Sequence, residues 1–398
     1  MTQDLLIQGA TLVLPDGLLK GDLLVREGKI AQVGGKISAP DAQILEADGR
    51  YLFPGFIDVH IHGGGGADFM DATPEAFETA ARAHLMRGTT SLVPTAMTAP
   101  TEELEDFIRA YHAFRKESPL GKMAKGMHLE GPYFSNSNVK SAGAQNGKLI
   151  RPFDFEEIEH LLSLGKGEIL RWDAAPENEN SDLFAKRMTE AGIISSAGHS
   201  DATGEEAKAG FDAGFSHVTH FYNAVTAYKK RDQVVTSGVV EAAYLDESVS
   251  VELICDGKHI PRLCMLLALK IKGVERVMGI TDATRLSCTQ EKEGMLGSLK
   301  RGTRVIVEDG VAKLPDRISY AGSICTMDRA LRVICVSYGL DPVTAARMLS
   351  TTPAAHIGRS EELGSLEVGK IADLVLTDEQ FQVERVFLEG EPAENFAR

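Results

Sequence analysis

The segment Phe56-Ile-Asp-Val-His60-Ile-His62 decides the fold assignment, because it combines the pattern of a buried strand with two histidines at its end. Successive side chains of a strand point to opposite faces, so residues i and i+2 share one face. His60 and His62 can therefore face one cavity together. An isolated pair of this kind also occurs where strand histidines lie in a polar interior, so its meaning depends on the rest of the chain.

Seven further runs of strand length follow, and segments of helical periodicity separate them. This alternation is typical of βα units on a parallel sheet. The eight runs are residues 56–62, 90–94, 126–131, 169–175, 193–199, 217–222, 249–255 and 276–282. They predict an α/β fold, a (β/α)8 TIM-type barrel, in which the active site lies at the carboxyl ends of the strands.

Both ends of the chain have a different pattern, in which short strand-like runs are separated by turns rich in glycine and aspartate. We expect the two ends to pair into one small β-sandwich domain. The predicted division is residues 1–53 plus 358–398 for the sandwich and residues 54–357 for the barrel with the active site.

Composition excludes several classes of protein. The 42 Lys and Arg residues against 57 Asp and Glu give a net charge of -15, which argues against nucleic acid and leaves a small anionic substrate to be held locally. Five cysteines without a CxxC pair indicate reduced thiols. The chain start does not resemble a signal peptide, and no apolar run approaches the ~20 residues of a membrane span. We therefore expect a cytoplasmic protein without membrane association.

Six of the eight runs end in histidine, glutamate or aspartate, at the face where barrels carry out chemistry. The residues concerned are His60, His62, Glu130, His199, His220, His259 and Asp282. Imidazoles combined with a carboxylate suit zinc or iron, and packing alone rarely yields so many such ends. The pattern predicts a metal site. Without further context, Asn223 is as consistent with an ordinary cap as with a functional role. Arg231 is likewise as consistent with a solvated charge as with a functional role.

Seven segments carry a family resemblance: PGFIDVHIHG, HLEGPYF, AGHSDAT, THFYNAV, DGKHI, TDAT and YAGSICTMD. They resemble N-acetylglucosamine-6-phosphate deacetylases of the amidohydrolase superfamily, and the resemblance spans essentially the whole chain. It implies hydrolysis of N-acetyl-D-glucosamine 6-phosphate to D-glucosamine 6-phosphate and acetate, in amino-sugar catabolism. Two alternatives stay open, an N-acetylgalactosamine-6-phosphate deacetylase and a cyclic-amide amidohydrolase. Cyclic-amide relatives commonly use a carboxylated lysine at the end of strand four, and residues 170–175 contain none.

The resemblance also implies roles for the strand-end residues. Glu130, His199 and His220 would bind the main metal. His60 and His62 would hold a second ion with Glu130 as the bridge, so that each subunit carries one or two divalent ions, Zn or Fe. Asp282 would act as the general base, taking a proton from the attacking water and delivering it to the amine. His259 would polarise the acetamide carbonyl.

For the substrate, the resemblance implies that Asn223 and the Ala224 backbone contact the phosphate or sugar, and that Arg231 binds the phosphate. Gln145 would lie near the sugar hydroxyls, and a homodimer is expected. Gln145 stands where other members have histidine, Tyr320 stands where leucine is usual, and the stretch after TDAT also departs from the family pattern. These departures surround the sugar, so the sugar epimer stays open.

Overall fold

The computed structural model describes residues 4–135, 142–231 and 233–396, and the side chain of Arg231 also lies outside its described part. Within these ranges the strands are labelled β1 to β23. Their bounds are Leu5–Leu14, Gly17–Arg26, Lys29–Gly34, Gln43–Glu46, Tyr51–Pro54, Phe56–Ile61, Gly63–Gly64, Ala67–Asp68, Thr89–Ala96, Met127–Glu130, Ile169–Ala174, Ile194–Ala197, Phe215–Val218, Lys229–Arg231, Val234–Thr236, Ser250–Ile254, Val277–Ile280, Glu293–Leu296, Thr303–Glu308, Val311–Lys313, Leu374–Thr377, Val383–Leu388 and Glu391–Pro392.

The α-helices of the same ranges are labelled α1 to α10. Their bounds are Pro74–Leu85, Thr101–Glu117, Phe155–Gly165, Ser181–Glu190, Gly204–Ala213, Val239–Leu245, Arg262–Lys272, Met327–Arg332, Pro342–Ala346 and Thr352–His356. Wider π-type turns extend α8 over Val333–Ser337 and join α9 to α10 over Arg347–Thr351. None of the helices in the described ranges combines the length and apolarity that a transmembrane segment requires.

Eight parallel strands form the barrel, in the order β17-β16-β13-β12-β11-β10-β9-β6. Seven of them match predicted runs closely, and the sixth, β13, begins two residues before the run at 217–222 and shares only residues 217 and 218 with it. The predicted barrel is confirmed. Main-chain contacts bring the first and last strands together, since the amide of Asp282 donates to the carbonyl of His60 at 3.0 Å and the amide of His62 donates to Ala283 at 2.9 Å. The first and last functional strand ends are therefore neighbours.

Helix start signals fix where the barrel helices begin. The side chain of Thr73 caps α1, with Pro74 as the first helical residue. Thr203 and Glu206 form a capping box at α5, in which each side chain accepts from the other residue's backbone. These caps lie at the carboxyl ends of the preceding strands, so they hold in place the loops that carry the site.

The two chain ends meet in one eight-stranded sheet, in which β21 pairs with β5 and β5 pairs with β1. The sheet folds back on itself, because Ile30 in β3 exchanges backbone hydrogen bonds with residues 369 and 370, just before β21. Leu52 and Leu374 lie in the core of this small domain, whereas the adjacent Phe53 and Val375 face the barrel. Alternate residues of β5 and β21 therefore pack into the small domain and against the barrel, and these strands join the two units. The pairing of both chain ends in one sheet was predicted.

Candidate metal centre and active site

Glu130, the last residue of β10, lies at the centre of the site and is only 3% exposed. Its Oε1 lies 3.1 Å from Nε2 of His199 and 3.2 Å from Nε2 of His220. Its Oε2 lies 3.4 Å from Nε2 of His62. Oε1 therefore faces His199 and His220, with Nε2 of His60 farther away at 3.7 Å, and Oε2 faces His62. The carboxylate thus lies between the two groups of imidazoles.

The second set consists of His60, His62 and Asp282, at the ends of the first and last barrel strands. The two imidazole Nε2 atoms lie 3.3 Å apart. Oδ1 of Asp282 lies 3.2 Å from Nε2 of His62 and 3.6 Å from Nε2 of His60. The ligand atoms of this set lie within 4.8 Å of one another, as do those of Glu130, His199 and His220. Imidazole nitrogens and carboxylate oxygens at this density match the ligand chemistry of zinc or iron.

The backbone around the site is strained. His199, His220 and Asp282 have φ values of 47°, 30° and 50°, in the left-handed region that non-glycine residues rarely adopt. Each such residue costs about 1–3 kcal/mol and persists only where its surroundings hold it. The carbonyls of Asp282 and His220 accept from the amides of Ser323 and Asn223, which fixes these turns. The strain turns the three side chains inward at the strand ends.

The charges of the site are mutually dependent. Burial lowers the pKa of His62, but its contacts with Asp282 and Glu130 outweigh this and raise the pKa to about 9. The pKa of His220 is likewise raised to about 9, because Glu130 outweighs burial. Burial raises the pKa of Glu130, yet hydrogen bonds from His199 and His220 hold it well below its usual range. The site thus gathers positive charge around buried carboxylates, and a divalent cation can replace the two imidazole protons.

His259 lies on the opposite wall of the pocket, after the end of β16. Its Nδ1 lies 2.8 Å from Oδ2 of Asp256, and Oδ1 of Asp256 accepts from the backbone amides of Lys258 and His259. A carboxylate can only accept, so Nδ1 carries the proton and Nε2 is left for a substrate. Asp256 therefore sets the orientation of the His259 ring.

Gln145, Asn223 and Ala224 line the same pocket. The amide of Gln145 donates to Oε2 of Glu130 at 2.8 Å, and its oxygen accepts from the backbone of Thr98 at 3.0 Å. Asn223 and Ala224 line the pocket, and the Asn223 carbonyl lies 3.0 Å from Nδ1 of His220. Gln145 and Asn223 thus contact metal-site residues directly, in addition to facing the pocket.

Arg231 lies in β14, a strand of the hairpin with β15, and its side chain is outside the described part of the structure. Its predicted contact with phosphate therefore stays a prediction. Tyr320 and Leu296 also line the pocket, and the Tyr320 ring centroid lies 4.7 Å from that of His259. Both follow the eighth barrel strand, and Tyr320 is one of the positions that depart from the family pattern.

Sequence reasoning missed a layer of buried charge beneath the site. It includes Arg171, Asp173 and Glu252, which are at most 2% exposed. The spacing of these residues in the sequence was a usable signal. Arg171 and Asp173 lie two residues apart in one strand and so share a face. Glu252 lies two residues before Ile254, which lines the pocket. A charge at the inward-facing positions of a buried strand needs a partner, and period 2 identifies those positions.

The fold and the site define a barrel hydrolase with a candidate metal centre. The model of the amidohydrolase family matches residues 51–393. An N-acetylglucosamine-6-phosphate deacetylase of Lysinibacillus sphaericus is 34% identical over 372 residues, covering 93% of this chain and 92% of the relative. An N-acetylgalactosamine-6-phosphate deacetylase of Escherichia coli O157:H7 is 30% identical over 371 residues, covering 93% and 94%.

Solved structures agree with this assignment. A mutant N-acetyl-D-glucosamine-6-phosphate deacetylase from Mycobacterium smegmatis, in complex with N-acetyl-D-glucosamine-6-phosphate, superposes with a TM-score of 0.89. It is 29% identical and the match covers 98% of this chain and all of that chain. The chain belongs to the amidohydrolase family, whose enzymes use a divalent metal.

Proposed function

We propose that this chain hydrolyses the acetamide of N-acetyl-D-glucosamine 6-phosphate to D-glucosamine 6-phosphate and acetate, as a step of amino-sugar catabolism. The observation that carries the proposal is the convergence of two ligand sets on Glu130, with Asp282 and His259 facing the same pocket. The relatives named above act on N-acetylated amino-sugar 6-phosphates, which supports this substrate class.

Glu130, His199 and His220 would hold the main ion, and His60 and His62 would hold a second, with Glu130 between them. Zinc or iron fits these nitrogen and oxygen donors, with one or two ions per subunit. A divalent ion supplies a nucleophile at neutral pH, by lowering the pKa of water towards ~7, and polarises a carbonyl.

Asp282 would take the proton of the attacking water and later deliver it to the amine. Burial raises the pKa of Asp282, but the charge of His60 and the hydrogen bond to His62 lower it below its usual value, which keeps the carboxylate ready to accept a proton. His259 would polarise the acetamide carbonyl from Nε2, since Asp256 at 2.8 Å from Nδ1 fixes the orientation of its ring.

At the sugar end, Asn223 and the Ala224 backbone would contact the sugar or phosphate and Arg231 would bind the phosphate. A guanidinium suits this role because its planar fork donates two parallel hydrogen bonds. Gln145 would face the sugar hydroxyls from a position that its contacts with Glu130 and Thr98 fix.

N-acetylgalactosamine 6-phosphate is the second candidate substrate. The Escherichia coli relative that carries this activity by name is 30% identical to the chain, close to the 34% of the glucosamine relative. The two sugars differ in the orientation of one hydroxyl, and loop residues such as Tyr320 line the pocket where such a difference is read. A cyclic-amide activity has no comparable support.

Release of acetate should be measured with both N-acetylhexosamine 6-phosphates, with unphosphorylated N-acetylglucosamine, and with dihydroorotate and hydantoin as cyclic amides. We expect the highest kcat/KM on N-acetylglucosamine 6-phosphate and none on the cyclic amides. Preference for the galactosamine epimer would move the assignment to the second candidate. Turnover of the cyclic amides alone would contradict the proposal, and absence of bound metal after careful purification would indicate an inactive scaffold.

We also propose that the chain has two domains, a small β domain of residues 1–53 plus 358–398 and a barrel of residues 54–357.

The proposal further includes a homodimer in the cytoplasm. In the described ranges all five cysteines are free thiols, which fits a reducing compartment. Val234 and Val235, 62% and 53% exposed on the hairpin with Arg231, offer apolar surface for a second subunit. Light scattering of the purified protein measures its mass in solution.

A further inference from the structure

Glu252 is fully buried in β16, beneath the candidate metal centre, and four residues place a nitrogen within hydrogen-bonding distance of its carboxylate. Its Oε1 lies 2.6 Å from Nδ1 of His60 and accepts from the backbone amide of His220 at 3.0 Å. Its Oε2 accepts from Nη1 of Arg171 at 2.5 Å and lies 3.4 Å from Nε2 of His217. One carboxylate therefore contacts one member of each ligand set.

Each of these contacts has a consequence for a metal ligand. A hydrogen bond from Nδ1 of His60 leaves its Nε2 as the unprotonated nitrogen, and this atom faces Glu130 and Asp282 at 3.7 and 3.6 Å. The bond to the amide of His220 supports a residue whose φ of 30° is strained. Glu252 thus fixes the tautomer of one ligand and the backbone of another.

Arg171 holds Glu252 in turn. It is buried in β11, at the fourth strand of the barrel, and its Nε lies 3.3 Å from Oδ1 of Asp173. Its second Nη atom lies 2.8 Å from Nδ1 of His128. A buried carboxylate without such a partner is destabilising, so the fork of Arg171 permits a negative charge at this depth.

We propose that Glu252, held by Arg171, is a positioning residue that couples the two ligand sets and sets the affinity of both for metal. This inference rests on the proposed function, since it takes the two sets as metal ligands. Loss of such an outer hydrogen bond typically weakens metal binding about 10- to 100-fold.

The test is the dissociation constant for Zn²⁺, measured by competition with a chelator, on the parent chain and on Glu252→Gln. In this variant the glutamine NH₂ group, a donor, replaces one of the two carboxylate oxygens that accept hydrogen bonds. We therefore expect zinc binding to weaken about 10- to 100-fold. Zn²⁺ added to the metal-free variant should therefore raise its Tm less than it raises the Tm of the parent. A purely structural role of Glu252 would lower the Tm of the metal-free protein without reducing this rise.

Glu157→Gln is the matched control, because Glu157 is also a buried carboxylate paired with an arginine, Arg151, and contacts none of the ligand residues. It should lower the Tm of the metal-free protein and leave the zinc dissociation constant unchanged. If Glu252→Gln fails to fold, Arg171→Lys keeps the charge but loses the fork, and should weaken zinc binding in the same direction by a smaller factor.

The outcomes separate the two proposals. A parent chain that binds no zinc or iron would overturn the proposed function. A parent that binds zinc tightly while Glu252→Gln, or Arg171→Lys in its place, binds equally tightly would overturn only the coupling role of Glu252.

Discussion

The two ends of the pocket are built in different ways. At the metal end, Glu130, His199 and His220 sit at the ends of barrel strands and are at most 5% exposed. At the proposed sugar end, Tyr320 of the pocket lining is 43% exposed. Val234, on the hairpin that carries Arg231 outside this lining, is 62% exposed. Residues at strand ends inherit the rigidity of the barrel, whereas loops can change without disturbing it. We therefore expect the metal end to set the reaction and the proposed sugar end to set the substrate.

The two ends should also respond differently to substitution. Each of the six ligand side chains of the metal end contacts another member of the cluster, and removal of one partner leaves a buried charge unpaired. At the sugar end a lost contact is replaced by water. We therefore expect all-or-none effects at the metal end and graded effects at the sugar end.

The largest effect is expected for Glu130→Gln. The substitution removes the shared negative charge that contacts both ligand sets, so metal affinity should fall at least about 100-fold and turnover with it. Metal content after dialysis and kcat measure these losses. Glu157→Gln serves as the control and should keep its metal. A Glu130→Gln protein that keeps a full complement of metal would contradict the bridging role.

Asp282→Asn separates catalysis from binding within the metal end. The amide cannot accept the proton of water, so kcat should fall about 10²- to 10⁴-fold, the usual contribution of a general base. Most of the metal should remain, because Glu130, His199 and His220 are untouched. Steady-state kinetics and metal analysis on the same sample test both parts. Retention of full activity would exclude Asp282 as the base.

Arg231→Ala tests the sugar end. Loss of charge-assisted hydrogen bonds to phosphate, worth about 1.5–3 kcal/mol, should raise KM for the phosphorylated substrate roughly 10- to 100-fold. Unphosphorylated N-acetylglucosamine should be unaffected. Lys230→Ala is the matched control, since Lys230 is an exposed cation on the same hairpin strand. Equal effects of both variants on both substrates would contradict specific phosphate binding by Arg231.

The smallest effect is a dependence of stability on pH. The pKa values of His62 and His220 are raised to about 9 from an ordinary 6.5, so folding favours their protonated forms. This stabilisation is complete below pH 6.5 and is lost as pH rises through 9. The Tm of chelated protein should therefore fall between pH 6.5 and 9, whereas that of metal-loaded protein should not, because metal replaces the protons.

A chelated double variant with His62→Gln and His220→Gln should lose most of this slope. A flat Tm for the chelated parent over the same range would show that the two imidazoles are not protonated in the metal-free site.

Much of the architecture could be predicted from local patterns. Each barrel strand overlaps a predicted run, although β13 shares only residues 217 and 218 with its run. Thr73 and Thr203 cap helices as their sequence context indicates. His62, Glu130 and His199, from H-x-H, HLEGP and GHS, also line one pocket, and His60 is buried beside them. Parallel strands end at one face of a barrel, so position along the strand was sufficient to place them together.

Arg171 and Glu252 could not be placed in this way. Their roles depend on partners up to 192 residues away along the chain, as with His60 and Glu252. Gln145 is a further example, because its amide contacts Glu130 as well as the pocket. Which buried charges meet is decided by the angular position of each strand around the barrel, and periodicity within one strand carries no information about it.

His60 and His62 illustrate what the sequence determined and what the tertiary structure decided. The sequence by itself determined that His60 and His62 share one face, because alternation along a strand is a local property of the backbone. Only the tertiary structure decided that His60 is oriented by Glu252 and that both rings face Asp282, because those contacts require the barrel to close. Local periodicity determines the face of a side chain, and closure of the sheet determines what it meets there.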